Sequence, residues 1–184
     1  MIERYSLVAS SSEVDAHISR LAHGLHAAYP ETTPLFVALL KGAAPFASKL
    51  MFELARLAPE LHPEIDYMMV ATYGAGQHAG EPRIITDLDP RTHVAGRTVV
   101  ILDDVLDKGI TADFVRTHLH AMGAAKIELC VLVDKQTARL KDIEADYYGL
   151  KATDEWLVGM GMDDADLTHE GHRWLDEIRQ INRT

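Results

Sequence analysis

The fold is decided by residues 99–111, which read VVILDDVLDKGIT from Val99 to Thr111. Four branched apolar residues, 99–102, predict a buried β-strand. Two adjacent carboxylates, Asp103 and Asp104, follow at the carboxyl end of that strand, and a glycine-containing loop then opens onto a helix. Backbone amides at the start of a helix, helped by the partial positive charge of the helix end, bind phosphate. This strand, loop and helix therefore predict an anion site.

The polar residues of the same segment suit a sugar phosphate. Asp103 and Asp104 match the two hydroxyls of a ribose, or a metal that holds those hydroxyls. Thr111 adds a hydroxyl donor and Lys108 a cation. The simpler interpretation is that aspartates only end a strand and cap a helix. It does not explain three carboxylates, a glycine and a threonine behind four branched apolar residues, so we expect a ribose-phosphate site.

Strand and helix patterns alternate along the rest of the chain. Further strands are predicted at 35–40, 65–71 and 126–133. One helix is predicted to begin at the capping box Ser10-Ser11-Ser12-Glu13 and to end at Pro30, and two others follow the apolar spacings Phe46/Leu50/Leu54 and Val115/Leu119/Met122. Such alternation predicts an α/β fold, a mostly parallel sheet with helices on both faces. Ligands of such sheets bind beyond the strand ends, here after Leu40, Leu102 and Val133.

Composition restricts the class of protein. The 184 residues are 47% hydrophobic and 25% charged, which suits one globular domain over 1–184. No apolar run approaches the length of a membrane helix, and no secretory signal is apparent at the start. Cys130, the single cysteine, lies in an apolar run and predicts a buried, inert thiol in a reducing, cytoplasmic compartment. The net charge of −10 argues against a nucleic-acid partner, so any anion site must be built locally.

Residues 99–111 resemble the phosphoribosyl-pyrophosphate motif of type I phosphoribosyltransferases, although Lys108 replaces the usual threonine or serine. Leu39-Leu40-Lys41-Gly42-Ala43 resembles the family's pyrophosphate loop, in which the peptide before the lysine is often cis. Thr72-Tyr73-Gly74 resembles the start of its flexible lid. Leu132-Val133-Asp134-Lys135 resembles its purine-reading segment, and residues 154–163 resemble the hood of the hypoxanthine-guanine branch. The resemblance covers about 35–163.

The resemblance implies an enzyme that transfers the 5-phosphoribosyl group from phosphoribosyl pyrophosphate to hypoxanthine or guanine, giving IMP or GMP and pyrophosphate. It also implies a homodimer or homotetramer, and a small base-binding hood formed by the N-terminal segment and about 145–184. The residues implied to bind phosphoribosyl pyrophosphate are Leu40, Lys41, Gly42, Thr72, Tyr73, Asp103, Asp104, Lys108, Gly109, Ile110 and Thr111.

The remaining site residues are assigned roles by the same resemblance. Asp107 is expected to act as general base for the purine's imidazole nitrogen. Lys135 would donate a hydrogen bond to the exocyclic oxygen of a 6-oxopurine and so reject adenine. Trp156 would stack on the base, with Leu157 and Asp163 beside it. Mg²⁺ would be held by Asp103, Asp104 and Asp163. The competing interpretations are a capping aspartate for Asp107 and a solvated strand-end lysine for Lys135.

Two segments carry hypotheses of their own. Residues 73–82 contain three glycines and no apolar periodicity, which predicts a lid that orders when substrates bind. In the tail, the family commonly has a tyrosine after the hood aspartate and an arginine six residues after it that assists pyrophosphate, where this chain has Asp164 and His169. His169 either inherits that role or leads into a surface helix carrying Trp174, Ile178 and Ile181.

Three other functions stay open at this point. A regulatory or RNA-binding protein of the same fold is disfavoured by the acidic balance and the intact hood motif. An enzyme for another base, xanthine or adenine, and a weakly active paralogue are the other two. Pairs of histidines such as His23 and His26 have helix-face spacing but no third clustered ligand, so a zinc site is not expected.

Overall fold

The computed structural model describes residues 4–72, 81–136, 139–164 and 170–182. Most of the predicted lid, including Tyr73, and also His169 lie outside these ranges. Within them, no helix is both long and apolar enough to cross a membrane.

Nine strands and three α-helices make up the described part of the chain. The strands are β1 (Tyr5–Ala9), β2 (Leu35–Leu40), β3 (Glu64–Thr72), β4 (Pro82–Thr86), β5 (Thr98–Leu106), β6 (Lys126–Lys135), β7 (Tyr147–Ala152), β8 (Leu157–Val158) and β9 (Ile178–Ile181). The helices are α1 (Ser11–Ala28), α2 (Ala44–Leu57) and α3 (Ile110–Ala121), and a short 3₁₀ turn spans Pro59–Leu61.

Six strands form the central sheet in the order β4-β3-β2-β5-β6-β7. All neighbouring pairs are parallel except β3 and β4. Val37 lies opposite Ile101, and Leu102 opposite Cys130, so the apolar middles of three strands are in register. One hydrophobic cluster covers the face that receives α1 and α2, and a second covers the face that receives α3. The predicted α/β sheet with helices on both faces is confirmed.

The helix starts follow from local sequence. The Ser10 side chain caps α1, and the Ser10 amide donates to the Glu13 carboxylate at 2.8 Å, which completes the predicted capping box. Residues at positions 14, 18, 21, 22 and 25 are buried on its inner face. The third helix begins differently, because Gly109 occupies its N-cap with a φ of 79° and no side chain caps it. The first amides of α3 are therefore left for another partner.

Strand β5 is longer than the sequence predicts. We expected the strand to end at Leu102, but pairing with β6 continues from Asp103 opposite Val131 to Leu106 opposite Asp134. The two aspartates therefore lie within the strand, where backbone hydrogen bonds hold them, and not in a loop after it.

A second, three-stranded sheet has the order β1-β9-β8 and joins the two ends of the chain. Tyr5 lies opposite Ile181, and Leu157 opposite Gln180. The prediction of a surface helix through Trp174, Ile178 and Ile181 is wrong: Ile178–Ile181 is strand β9, with Ile178 buried, while Trp174 is exposed. Strand β7, which falls in the 145–184 range expected for the hood, is instead the edge strand of the central sheet.

Candidate active site

Two polar pockets meet at the carboxyl ends of the central strands. The first, the phosphate pocket, contains about 560 Å³ of empty space and is lined by Thr72, Asp103 and residues 105–112. The second, the base pocket, contains about 500 Å³ and is lined by Asp104, Val105, Asp107, Lys135, Trp156, Leu157, Met162 and Asp163. Val105 and Asp107 line both pockets. The predicted residues that line these pockets are thus brought together, with Asp107 at the junction, whereas Leu40, Lys41 and Gly42 line neither of the two pockets.

The phosphate pocket is built around the start of α3. A Cβ atom at Gly109 would lie 2.5 Å from Cγ2 of Ile143, so both the positive φ and the lack of space require glycine there. The Leu140 amide donates to the carbonyl of Lys108 at 3.0 Å and holds the loop from outside. The amides of the first helical turn and the Thr111 hydroxyl are donors for a phosphate. Lys108 also lines the pocket, with its Nζ 3.8 Å from Oδ1 of Asp107.

Asp103 and Asp104 are adjacent but serve different pockets. Side chains alternate along a strand, and Asp103 lines the phosphate pocket whereas Asp104 lines the base pocket. Burial raises the pKa of both carboxyls, and the Asp104 carboxylate raises that of Asp103 further. Charged carboxylates in this position need a cation to compensate for lost solvation.

The predicted pyrophosphate loop packs against this acidic pair. The Leu40–Lys41 peptide is cis, as in the family that the motif resembles. Gly42 faces Asp104 so closely that a Cβ atom would lie 2.5 Å from its Oδ2. The Lys41 side chain projects to the rim, where its Nζ lies 2.7 Å from the carboxylate of Glu170. Glycine at position 42 is therefore what leaves room for the Asp104 carboxylate.

In the base pocket, the predicted general base, Asp107, and the predicted purine-binding lysine, Lys135, face each other. Nζ of Lys135 lies 3.8 Å from Oδ2 of Asp107, and the Lys135 side chain is only 10% exposed. This burial contradicts the interpretation of Lys135 as a solvated strand-end lysine. Trp156 is 47% exposed at the mouth, with its indole N–H donating to the carbonyl of Asp163 at 3.4 Å, and Leu157 is buried beside it. A half-exposed indole and a buried ammonium that line one pocket suit a flat, polar-edged ligand.

Arg173 is a site residue that the sequence did not reveal. Its guanidinium contacts Oδ1 of Asp163 at 3.0 Å, the carboxylate of Glu170 and the carbonyl of Gly161. The positive charge of Arg173 also acts to lower the pKa of Asp104. The resemblance implies an arginine six residues after Asp163, whereas Arg173 comes ten residues after it. The presence of an arginine anywhere in the tail is the signal that indicates Arg173.

Arg139 is a second missed residue. One guanidinium nitrogen donates to the backbone carbonyl of Asp107 at 3.0 Å, and another is paired with the carboxylate of Asp134. This arginine ties the loop after β5 to the end of β6. It thereby fixes the backbone from which the Asp107 side chain projects.

The acidic groups suit magnesium better than zinc. Among the described residues, no three His, Cys, Asp or Glu side chains converge into a metal cluster. Mg²⁺ usually takes only one or two carboxylates and completes its shell with water and substrate phosphates. A buried pair of carboxylates beside a phosphate cradle fits that mode. Asp163, the third predicted ligand, is paired with Arg173.

Comparisons with known proteins show the family of this chain. A family model for the phosphoribosyl transferase domain matches residues 9–165, and the chain belongs to that family. The predicted family is thus confirmed.

Its relatives include the hypoxanthine-guanine phosphoribosyltransferase of Bacillus subtilis, 34% identical over 161 residues that cover 87% of this chain and 86% of the relative. A crystal structure of the hypoxanthine phosphoribosyltransferase of Staphylococcus aureus is 30% identical, with a TM-score of 0.85 over 96% of this chain and 91% of that one. The crystal structure of a Bacillus anthracis hypoxanthine-guanine phosphoribosyltransferase gives a TM-score of 0.84 at 25% identity, over 98% of this chain and 100% of that one.

Proposed function

We propose that this protein is a purine-salvage enzyme that transfers the 5-phosphoribosyl group from phosphoribosyl pyrophosphate to hypoxanthine or guanine. The observation that carries the proposal is the position of Asp107, which lines both pockets and lies 3.8 Å from the Lys135 ammonium. A group that handles a proton during bond formation between sugar and base must reach both reactants.

The phosphate pocket binds the sugar substrate. Amides of Gly109, Ile110 and Thr111 hold the 5-phosphate at the start of α3, with Lys108 and the hydroxyls of Thr72 and Thr111 beside it. Asp103 approaches the ribose hydroxyls from this pocket, and Asp104 approaches them from the adjoining base pocket. The backbone of Leu40, Lys41 and Gly42 receives the pyrophosphate group, which places the anomeric carbon between the two pockets.

The base pocket orients the purine. Lys135 donates to the exocyclic oxygen, and this donor rejects adenine because the amino group of adenine is itself a donor. Trp156 covers one face of the ring, and Leu157 and Asp163 border it. As the purine nitrogen attacks the anomeric carbon, the bond from that carbon to pyrophosphate breaks, and the Asp107 carboxylate accepts the proton from the imidazole ring.

Mg²⁺ fits the carboxylates of this site. Asp103 and Asp104 would hold it through the substrate, with Asp163 as the third predicted ligand. When bound, magnesium neutralises charge that develops on the leaving pyrophosphate. Arg173, beside Asp163 and near Asp104, takes the place that the family gives to its tail arginine. We further infer that the protein is a homodimer or homotetramer. We also infer that it works in the cytoplasm, because a free, buried cysteine thiol suits a reducing compartment.

A base panel tests the proposal. The purified protein is given phosphoribosyl pyrophosphate and Mg²⁺ with hypoxanthine, guanine, xanthine or adenine, and nucleotide is followed by absorbance. We expect IMP and GMP to form and adenine to be rejected. Nucleotide from adenine alone, or from none of the four bases, would contradict the proposal.

A further inference from the structure

The carboxylate of Glu170 is shared by two cations at the rim of the candidate site. Its Oε1 lies 2.7 Å from Nζ of Lys41, and its Oε2 lies 2.5 Å from Nε of Arg173. Each oxygen thus serves a different cation. The pKa of Glu170 is held below its usual range, first by Lys41 and then by Arg173, so the carboxylate is ionised at neutral pH.

The two cations come from separate parts of the fold. Lys41 follows β2 of the central sheet, in the loop proposed to receive pyrophosphate, whereas Arg173 lies between β8 and β9 next to Asp163. A lysine and an arginine that converge on one pair of oxygens form the usual arrangement of an anion site. In this structure the anion is a side chain of the protein itself.

The contact is open to exchange. The side chains of Lys41 and Glu170 are 56% and 37% exposed, so solvent reaches this pair and screens it, whereas Arg173 is 13% exposed. Exposed ion pairs of this kind contribute little net stability and compete poorly with a ligand of higher charge. Pyrophosphate carries several negative charges and more acceptor oxygens than a carboxylate.

We propose that Glu170 is an internal competitor of pyrophosphate: its carboxylate occupies Lys41 and Arg173 in the free protein and is displaced when the pyrophosphate group arrives. This inference rests on the proposed function. It assigns Glu170 a role in the release of product, because the carboxylate returns to both cations as pyrophosphate departs and so limits product affinity.

The competing view is that Glu170 is a scaffold that orients Lys41 and Arg173 for the ligand. The two views predict opposite changes in the affinity for pyrophosphate when Glu170 is replaced. Loss of a competitor strengthens pyrophosphate binding, whereas loss of a scaffold weakens it.

Titration calorimetry with inorganic pyrophosphate and Mg²⁺ separates these views in the parent, E170Q and E170A proteins. We expect both variants to bind with a Kd about three- to tenfold lower than the parent, the scale expected of a partly exposed ion pair. The matched control is E177Q, which removes the same charge from a glutamate paired with Arg179 near β9. It should bind as the parent does.

Unchanged or weaker binding in both variants, measured on protein with a normal circular dichroism spectrum, would overturn the inference. A gain shared by E177Q would also overturn it, because the effect would then be one of net charge. A parent that binds no pyrophosphate contradicts the proposed function itself, whereas a binding parent with unaltered Glu170 variants contradicts only the role of Glu170.

Discussion

The backbone of Gly161 lies against that of Gly42, so closely that a Cβ atom at position 161 would sit 1.8 Å from the Gly42 carbonyl oxygen. The same Cβ atom would lie 3.2 Å from Cβ of Asp104. The segment after β8 therefore touches the proposed pyrophosphate loop directly, and both border the acidic pair. This contact places Asp163 and Arg173 at the site although they lie far from Lys41 along the chain.

We predict that Gly161→Ala destabilises the protein and impairs the site. The φ of Gly161 is 111°, a region that residues with a Cβ avoid, and the methyl group would collide with backbone. The expected loss is about 1–3 kcal/mol in the free energy of unfolding, measured by chemical denaturation.

Gly24→Ala is the matched control. Gly24 lies inside α1, and a Cβ atom there meets nothing within 4 Å. Alanine should stabilise the protein by about 0.5–1 kcal/mol, because glycine is a poor helix residue. Equal stability changes of the two variants would refute the close packing of residues 42 and 161.

Asp107→Asn should lower turnover by about 10²–10⁴-fold, because the amide cannot accept the proton of the purine. Binding of phosphoribosyl pyrophosphate should persist, since the cradle at α3 is unchanged. Turnover is measured at saturating substrate and binding by calorimetry. Asp15→Asn, which removes a carboxylate of α1 that is paired with Lys49 of α2, serves as control. Near-normal turnover of the Asp107 variant would rule out its role as general base.

Lys135→Met should remove the discrimination between 6-oxopurines and adenine. Loss of a hydrogen bond from a buried charged donor should reduce kcat/KM for hypoxanthine by about 10- to 100-fold, while adenine is not penalised in the same way. The ratio of kcat/KM for the two bases is the measurement. Lys151→Met is the control, because that ammonium lies over the ring of Tyr148, 5.0 Å away, on β7. A ratio unchanged from the parent would remove Lys135 from base recognition.

Local sequence predicted most of the central sheet but not every boundary. The strand at 35–40 matches its prediction residue for residue, because Pro34 and the Lys41-Gly42 pair bound a short apolar run. Strand β5 runs past Asp103 and Asp104 because backbone pairing with β6 continues whatever the side chains are. Aspartate is disfavoured in strands, so Asp103 and Asp104, taken from the sequence alone, predicted that the strand ends at Leu102.

The tail could not be predicted because its partners are distant in the chain. Trp174, Ile178 and Ile181 have helical spacing, yet Ile178–Ile181 pairs with β1 at the other end of the sequence. For the same reason Arg173 was missed. Its distance from Asp163 along the chain depends on the length of the intervening loop, whereas its position in space is set by Asp163, Glu170 and Gly161.

Cys130 should not react with thiol reagents in the folded protein. The thiol is fully buried in β6, and burial raises its pKa well above the usual range. A raised pKa in the folded state stabilises the fold at low pH, and this contribution is lost as pH rises above the unfolded value of about 8.5. Because the thiol is buried, we expect labelling of the folded protein at pH 8.5 to be as slow as unfolding. Labelling in denaturant should be immediate. Fast labelling of the folded protein would contradict this burial.

The most direct test of phosphoribosyl transfer is the stoichiometry of its two products. Hypoxanthine, phosphoribosyl pyrophosphate and Mg²⁺ are mixed with the protein, and IMP and pyrophosphate are quantified in the same samples over time. We expect equal amounts of both, and neither when hypoxanthine is omitted. Pyrophosphate released without IMP would show hydrolysis in place of transfer and would contradict phosphoribosyl transfer, as would the absence of both products.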